Sequence, residues 1–99
     1  MKYRIIAIVK DVKGYCPIYR VKDSFIVEWF YIKSESSSNI CIHALSSMLT
    51  LISAFIHGLS AKDLGIGSED DIGYIQCPDP GPPYTKGGTV IFELRRLKI

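Results

Sequence analysis

The stretch ICIHALSSMLTLISAFIH, from Ile40 to His57, organises the chain, because its apolar residues recur at helical spacing. Gly58 follows it, and glycine is the residue that most often ends a helix. Ser38 or Asn39 stands before it, and both residue types are favourable N-caps. We therefore predict one long helix over residues 40–57.

Segments rich in β-branched and aromatic residues flank this helix, two on each side. The predicted strands are Tyr3 to Val12, Ser24 to Ile32, Ile72 to Cys77, and Thr89 to Leu97. In the first strand both faces are apolar at the centre, so we expect both to be covered. The order β-β-α-β-β predicts a single α+β domain over residues 1–99, with a small four-stranded, mainly antiparallel sheet and the helix packed across it.

Size and charge narrow the class of protein. A chain of 99 residues that is 47% hydrophobic can build one core without a disulfide or metal staple. Its net charge of +2 is small and its basic residues are scattered, so we do not expect a nucleic-acid partner. The first residues lack the pattern of a secretory signal, and three cysteines fit a reducing compartment. We expect a cytoplasmic protein.

The predicted helix has no charged side. No Asp, Glu, Lys or Arg occurs from Ser36 to Ala61, and the polar stripe consists of histidine, serine and threonine. Six polar residues in eighteen argue against a membrane span, so we expect no membrane partner. Either the helix is enclosed within its own fold, or its small-residue face packs on another subunit. We predict a homo-oligomer that self-associates through helix 40–57.

Cys16, Cys41 and Cys77 each lie at an element boundary, and His43 follows Cys41 by two residues. Thiolates and imidazole are ligands that zinc prefers, so these four residues are a candidate site for zinc or iron. Two features oppose this hypothesis: there is no Cys-x-x-Cys spacing, and residues two apart on a helix point about 200° from each other. Alternatively, Cys41 is a reactive thiolate at a helix N-terminus, or all three cysteines are small buried hydrophobes.

The segment from Pro78 to Gly88 combines four prolines with three glycines. It presents Asp79, Tyr84, Thr85 and Lys86, which we predict to form a ligand or interface loop. The alternative is a plain connection that needs glycine for positive φ angles. A P-loop is not indicated, because neither its spacing nor a following helix is present.

Three cysteine-centred motifs carry a resemblance to a known family. They are Cys16-Pro17, the run CIHALSS from Cys41, and the run QCPDPGPPY from Gln76, followed by GGTVIFE ending at Glu93. With these motifs the chain resembles a family of small, mostly archaeal, conserved hypothetical proteins. That family often has Gly-Asp where this chain has Lys22-Asp23. The resemblance implies that the three cysteines act as a set, and it implies no activity.

Taken together, these patterns favour a homo-oligomeric binding or structural module with a Cys/His site near the Pro-Gly loop. A small thiol-dependent enzyme or redox protein that uses Cys41 is the alternative. We favour a role other than catalysis.

Overall fold

The computed structural model describes residues 2–99, which form an antiparallel sheet and one α-helix. The α+β class is therefore confirmed, although the sheet has five strands rather than the predicted four. The elements are β1 (Tyr3–Lys13), β2 (Ser24–Glu28), β3 (Tyr31–Ile32), a 3-10 turn (Ser34–Ser36), α1 (Ile42–Ile56), β4 (Ile72–Gln76) and β5 (Thr89–Lys98).

The first and last strands form the centre of the sheet. The spatial order is β3-β2-β1-β5-β4, and every neighbouring pair is antiparallel. β1 pairs with β5 along nearly its whole length, from Tyr3 opposite Lys98 to Lys13 opposite Thr89. One end of the sheet therefore carries the start of β1, the end of β5 and the β2–β3 turn, and the other end carries the loops that enter β2 and β5.

The additional strand arises because the chain reverses at Trp29 and Phe30. We predicted one strand from Ser24 to Ile32, and this was wrong: β3 folds back on β2, with Val27 opposite Ile32. Trp29 has φ 53°, a left-handed conformation that bulky side chains rarely adopt. Since neither glycine nor asparagine is present, the sequence gives no sign of this turn.

The core lies between α1 and one face of the sheet. β1 contributes Ile5, Ala7 and Val9 to it, as the alternation of that strand predicts. The other large members come from the neighbouring strands and from the helix, namely Phe25, Phe92, Leu94, Met48, Ile52 and Phe55. On the second face of β1, Ile6 and Ile8 remain partly exposed, so the expectation that both faces are covered is not met.

The helix begins two residues later than predicted. Cys41 is its N-cap, rather than Ser38 or Asn39. The serines before it are used elsewhere, since the hydroxyl groups of Ser37 and Ser38 accept the backbone N–H groups of Ile26 and Ser24. These two hydroxyl groups thereby satisfy backbone donors of β2, and they do not cap the helix.

The end of α1 agrees with the sequence. Gly58 has φ 106° and follows the last residues of the helix, as the position of a C-terminal glycine predicts. Within residues 2–99 no helix is both long enough and apolar enough to cross a membrane.

Arg96 fastens the C-terminus of α1 to the sheet. Although it is charged, only 8% of its surface is exposed. One guanidinium nitrogen donates to the carbonyl oxygens of Phe55 (2.8 Å) and Leu59 (2.6 Å), and two others donate to the Asp71 carboxylate at 2.8 and 3.0 Å. The guanidinium also lies over the Phe55 ring. A cation at this position complements the negative end of the helix dipole.

We expect Arg96→Met to lower the free energy of unfolding by about 3 kcal/mol, because hydrogen bonds to a charged group are lost and helix carbonyls are left unpaired. Chemical denaturation of the wild type and the variant measures this change. Lys98→Met, at an exposed position of the same strand, is the matched control and should change stability little. Equal effects of the two substitutions would contradict the structural role of Arg96.

Candidate functional site

A pocket of about 710 Å³ lies beside the start of α1, at the end of the sheet away from Arg96. Three segments form it: the loop after β1, the chain entering α1, and the Pro-Gly loop before β5. Its lining is predominantly apolar and consists of Cys16, Pro17, Ile18, Tyr19, Ile40, Cys41, Ile42, His43, Ala44, Cys77, Pro78, Asp79, Gly87, Gly88 and Val90.

All four predicted Cys/His residues border this one pocket. Cys16 comes from the loop after β1, Cys41 and His43 from the start of α1, and Cys77 from the residue after β4. They meet because these boundaries lie at the same end of an antiparallel sheet. Cys41 lies outside the helix, with φ −71° and ψ 127°, so the opposed directions expected for Cys41 and His43 within one helix do not apply.

The thiols are not arranged as a metal centre. Cys77 is buried, its sulfur accepts the N–H of Val90 at 3.2 Å, and it donates to the Gly88 carbonyl oxygen. The Cys16 sulfur accepts the N–H of Tyr19 at 3.4 Å. Among residues 2–99, no group of three or more His, Cys, Asp or Glu side chains is positioned to hold a metal ion. The four residues therefore share a pocket without forming a ligand set for zinc or iron.

Tyr19 links the walls of the pocket, and the sequence analysis missed it. Its hydroxyl oxygen accepts the backbone N–H of Cys41 at 2.8 Å, and its ring meets Phe92 edge to face, with 5.2 Å between centroids. Burial raises the pKa of Tyr19, although the hydrogen bond from Cys41 opposes part of that effect, so the hydroxyl keeps its proton. A single tyrosine in an irregular loop carries no pattern from which this role could be read.

The Pro-Gly loop is internally braced by Asp79. One carboxylate oxygen of Asp79 accepts the N–H of Gly81 at 2.9 Å and also the hydroxyl of Thr85. Thr85 and Asp79 therefore hold the loop together, and of the predicted loop residues only Asp79 borders the pocket. Tyr84 and Lys86 are exposed on its outside.

Gly88 is required for close packing rather than for an unusual φ angle. A Cβ at Gly88 would lie 2.8 Å from the carbonyl carbon of Tyr15 and 3.0 Å from the carbonyl oxygen of Lys13. The backbone just before β5 thus lies directly against the end of β1 and the chain that follows it. Of the three glycines in this loop, only Gly81 has a positive φ, at 77°, so the expectation of positive φ angles holds for one position.

Comparison of the chain with models of known protein families, with curated proteins and with solved structures finds no match. The residues of the pocket are therefore the basis for a functional hypothesis.

The hydrogen bond from Thr85, followed by that from Gly81, lowers the pKa of Asp79. A lowered pKa stabilises the folded chain above the ordinary carboxyl value of about 3.9, and this contribution is lost as the pH falls through the folded value. We expect Thr85→Val to reduce stability near pH 7 and to make less difference below about pH 4. Thermal melting from pH 7 to pH 2 measures this.

Thr50→Val, on the exposed surface of α1, is the control for loss of a hydroxyl group. If the difference between wild type and Thr85→Val is the same at every pH, the carboxylate of Asp79 does not brace the loop.

Proposed function

We propose that the protein is a small binding module whose site is the pocket bordered by Cys16, Cys41, Cys77 and His43. The observation that carries this proposal is the convergence of three separate segments on one predominantly apolar pocket of about 710 Å³. Pockets of about 300–1,000 Å³ with few polar groups are typical of small-molecule sites. The ligand class that fits is a small, largely apolar molecule.

Exposed apolar side chains around the opening support this class of ligand. Ile42 is 75% exposed and Ile18 is 45% exposed, although both border the pocket. Covering such side chains with an apolar ligand is favourable by about 25 cal/mol per Å² of surface removed from water. The polar side chains that border the same space are few, namely the three cysteines, Tyr19, His43 and Asp79, and they would fix the orientation of the ligand.

We expect Ile18→Ser to weaken binding of an uncharged apolar fluorophore about tenfold, because it removes three carbon atoms from the pocket wall and leaves a polar group. Fluorescence titration with N-phenyl-1-naphthylamine measures the dissociation constant. Val21→Ser is the matched control, since Val21 is 52% exposed and is not part of this lining. Absence of saturable binding by the wild type, or equal effects of both variants, would contradict the proposed site.

The proposal includes self-association and the family resemblance. The outer face of α1, which the sequence predicts as the contact between copies, is exposed at Ser46, Thr50 and Ser53 and carries no charge, so it offers no ion pair to fix one arrangement of two copies. The resemblance to small archaeal proteins rests on the three cysteine motifs, and a common pocket explains why such motifs would occur together.

A thiol-dependent activity of Cys41 is the second candidate function, because Cys41 is the partly exposed N-cap of α1 at the pocket wall. The alkylation rate of the wild type against pH, compared with Cys41→Ser, tests it. A rapid phase that persists well below pH 8 and disappears in Cys41→Ser supports the thiolate. Alkylation that becomes rapid only near the ordinary thiol pKa of about 8.5 opposes it.

Elemental analysis of the same preparation tests the metal hypothesis. Because no group of three or more His, Cys, Asp or Glu side chains among residues 2–99 is positioned to hold a metal ion, we expect no stoichiometric zinc or iron. About one metal ion per chain, lost in Cys77→Ser, would instead establish a metal centre.

A further inference from the structure

The end of the sheet opposite the pocket displays a cluster of exposed apolar side chains. We call this cluster the aromatic end, and it consists of Trp29, Phe30, Leu59, Leu97 and Ile99. The rings of Trp29 and Phe30 lie 5.9 Å apart, and the strand register, in which Arg4 pairs with both Glu28 and Leu97, brings the β2–β3 turn and the end of β5 to the same end of the sheet. Phe30 is 82% exposed, which is more than any other large apolar side chain of residues 2–99.

Trp29 and Phe30, which we call the aromatic pair, are kept exposed by an unfavourable backbone conformation. Trp29 has φ 53° in a two-residue hairpin connection, where glycine would adopt the same angle without strain. A bulky residue in this conformation is a rare and unfavourable feature of a fold, and such strain tends to mark functional positions. The fold itself gains little from the Phe30 side chain, since 82% of it is exposed.

The aromatic side chains are nevertheless held in a defined arrangement. The ammonium group of Lys2 lies 3.7 Å from the centre of the Trp29 ring. The Phe30 ring lies 5.8 Å from the ring of His57, whose Nδ1 is 2.7 Å from the carbonyl oxygen of Ser53. The rings of Trp29 and Phe30 are therefore preorganised, which lowers the entropy lost when a partner binds.

Charge is distributed unequally across this end. Lys2 lies beside the aromatic pair, on the β2 side of the sheet. Glu69 and Asp70 are exposed in the loop that enters β4, on the other side, where Arg95 is close to Glu69. Exposed Lys98 lies on β5, between the two sides. β2 and β4 are separated by β1 and β5, so the two sides are about 14 Å apart at about 4.8 Å per strand. A rotation of 180° about an axis through the centre of this end exchanges the two sides.

We propose that the aromatic end is the self-association surface, and that its partner is a second copy of the chain related by a two-fold axis. That arrangement brings Lys2 and the aromatic pair of each copy against Glu69 and Asp70 of the other. Interfaces between identical chains are most often of this self-complementary type. The inference deepens the self-association that the proposed function includes, and it does not depend on the ligand of the pocket.

The outer face of α1 offers no such complementarity, because it carries no charged residue. The helix contributes to the proposed interface through His57, against which Phe30 packs.

Sedimentation equilibrium of the full chain tests the proposal with three single variants. We expect a dimer whose dissociation constant rises at least about 100-fold in Phe30→Ser, because two phenylalanines are lost per dimer. Tyr84→Ser is the matched control, since Tyr84 is 81% exposed at the opposite end, and Leu49→Ser probes the outer face of α1. Both should remain dimeric. A monomeric wild type overturns the proposal and the predicted oligomer together.

Dissociation by Leu49→Ser but not by Phe30→Ser overturns this surface alone and leaves a helix-mediated oligomer. Binding of monomers to vesicles containing anionic lipid, or to single-stranded oligonucleotides, in a way that Phe30→Ser abolishes would also overturn it. The dissociation constant of the fluorophore is measured for each variant as well. Because it reports on the pocket alone, failure of the pocket proposal is distinguishable from failure of the interface proposal.

If the Phe30→Ser variant does not fold, an exchange of charges between Lys2 and Glu69 tests the proposed interface. Lys2→Glu alone and Glu69→Lys alone each place like charges together twice in a two-fold dimer, so each should be weakened. An equimolar mixture of the two variants restores both attractions and should form a mixed dimer. Failure of the mixture to associate better than either variant alone overturns the proposal.

Discussion

The buried guanidinium of Arg96 determines where the helix lies on the sheet. A charge that is 8% exposed is stable there only because its donors meet the carbonyl oxygens of Phe55 and Leu59 and the carboxylate of Asp71. These contacts tie the last turn of α1 to β5 and to the loop that enters β4. With one end of the helix held in this way, the length of α1 places Cys41 at the far end of the sheet. The pocket accordingly lies beside the start of α1.

Regular elements with strong periodicity were predictable from the sequence. The alternation of Ile5, Ala7 and Val9 placed these residues on one face of β1, although both faces were expected to be covered, and Gly58 identified the end of α1. The hairpin at Trp29 was not predictable, because Val27, Trp29 and Tyr31 continue the alternation of a single strand and no turn residue interrupts them. The start of α1 was misplaced for a related reason: Ser37 and Ser38 have the chemistry of caps but bond to β2.

In the candidate site too, residue positions were predictable from the sequence, whereas contacts between distant segments were not. Cys16, Cys41 and Cys77 were recognisable from the sequence as residues at element boundaries. The ends of β1 and β4 and the start of α1 lie at the same end of the sheet, so the three residues border one pocket. Their chemistry was less predictable, since the hydrogen bonds that occupy the sulfurs of Cys16 and Cys77 come from Tyr19 and Val90. Neither the role of Tyr19 nor the close approach of Gly88 to Tyr15 leaves a trace in local sequence, because both are contacts between distant segments.

The position of Trp29 gives the molecule a built-in spectroscopic separation. It is the single tryptophan of the chain, and it lies at the opposite end of β1 from the cysteines. β1 has eleven residues and so spans about 36 Å at about 3.3 Å per residue. Indole emission therefore reports on solvent and charge around one end of the sheet and is insensitive to direct contact at the other. Events at the two ends are distinguishable by intrinsic fluorescence, without a label.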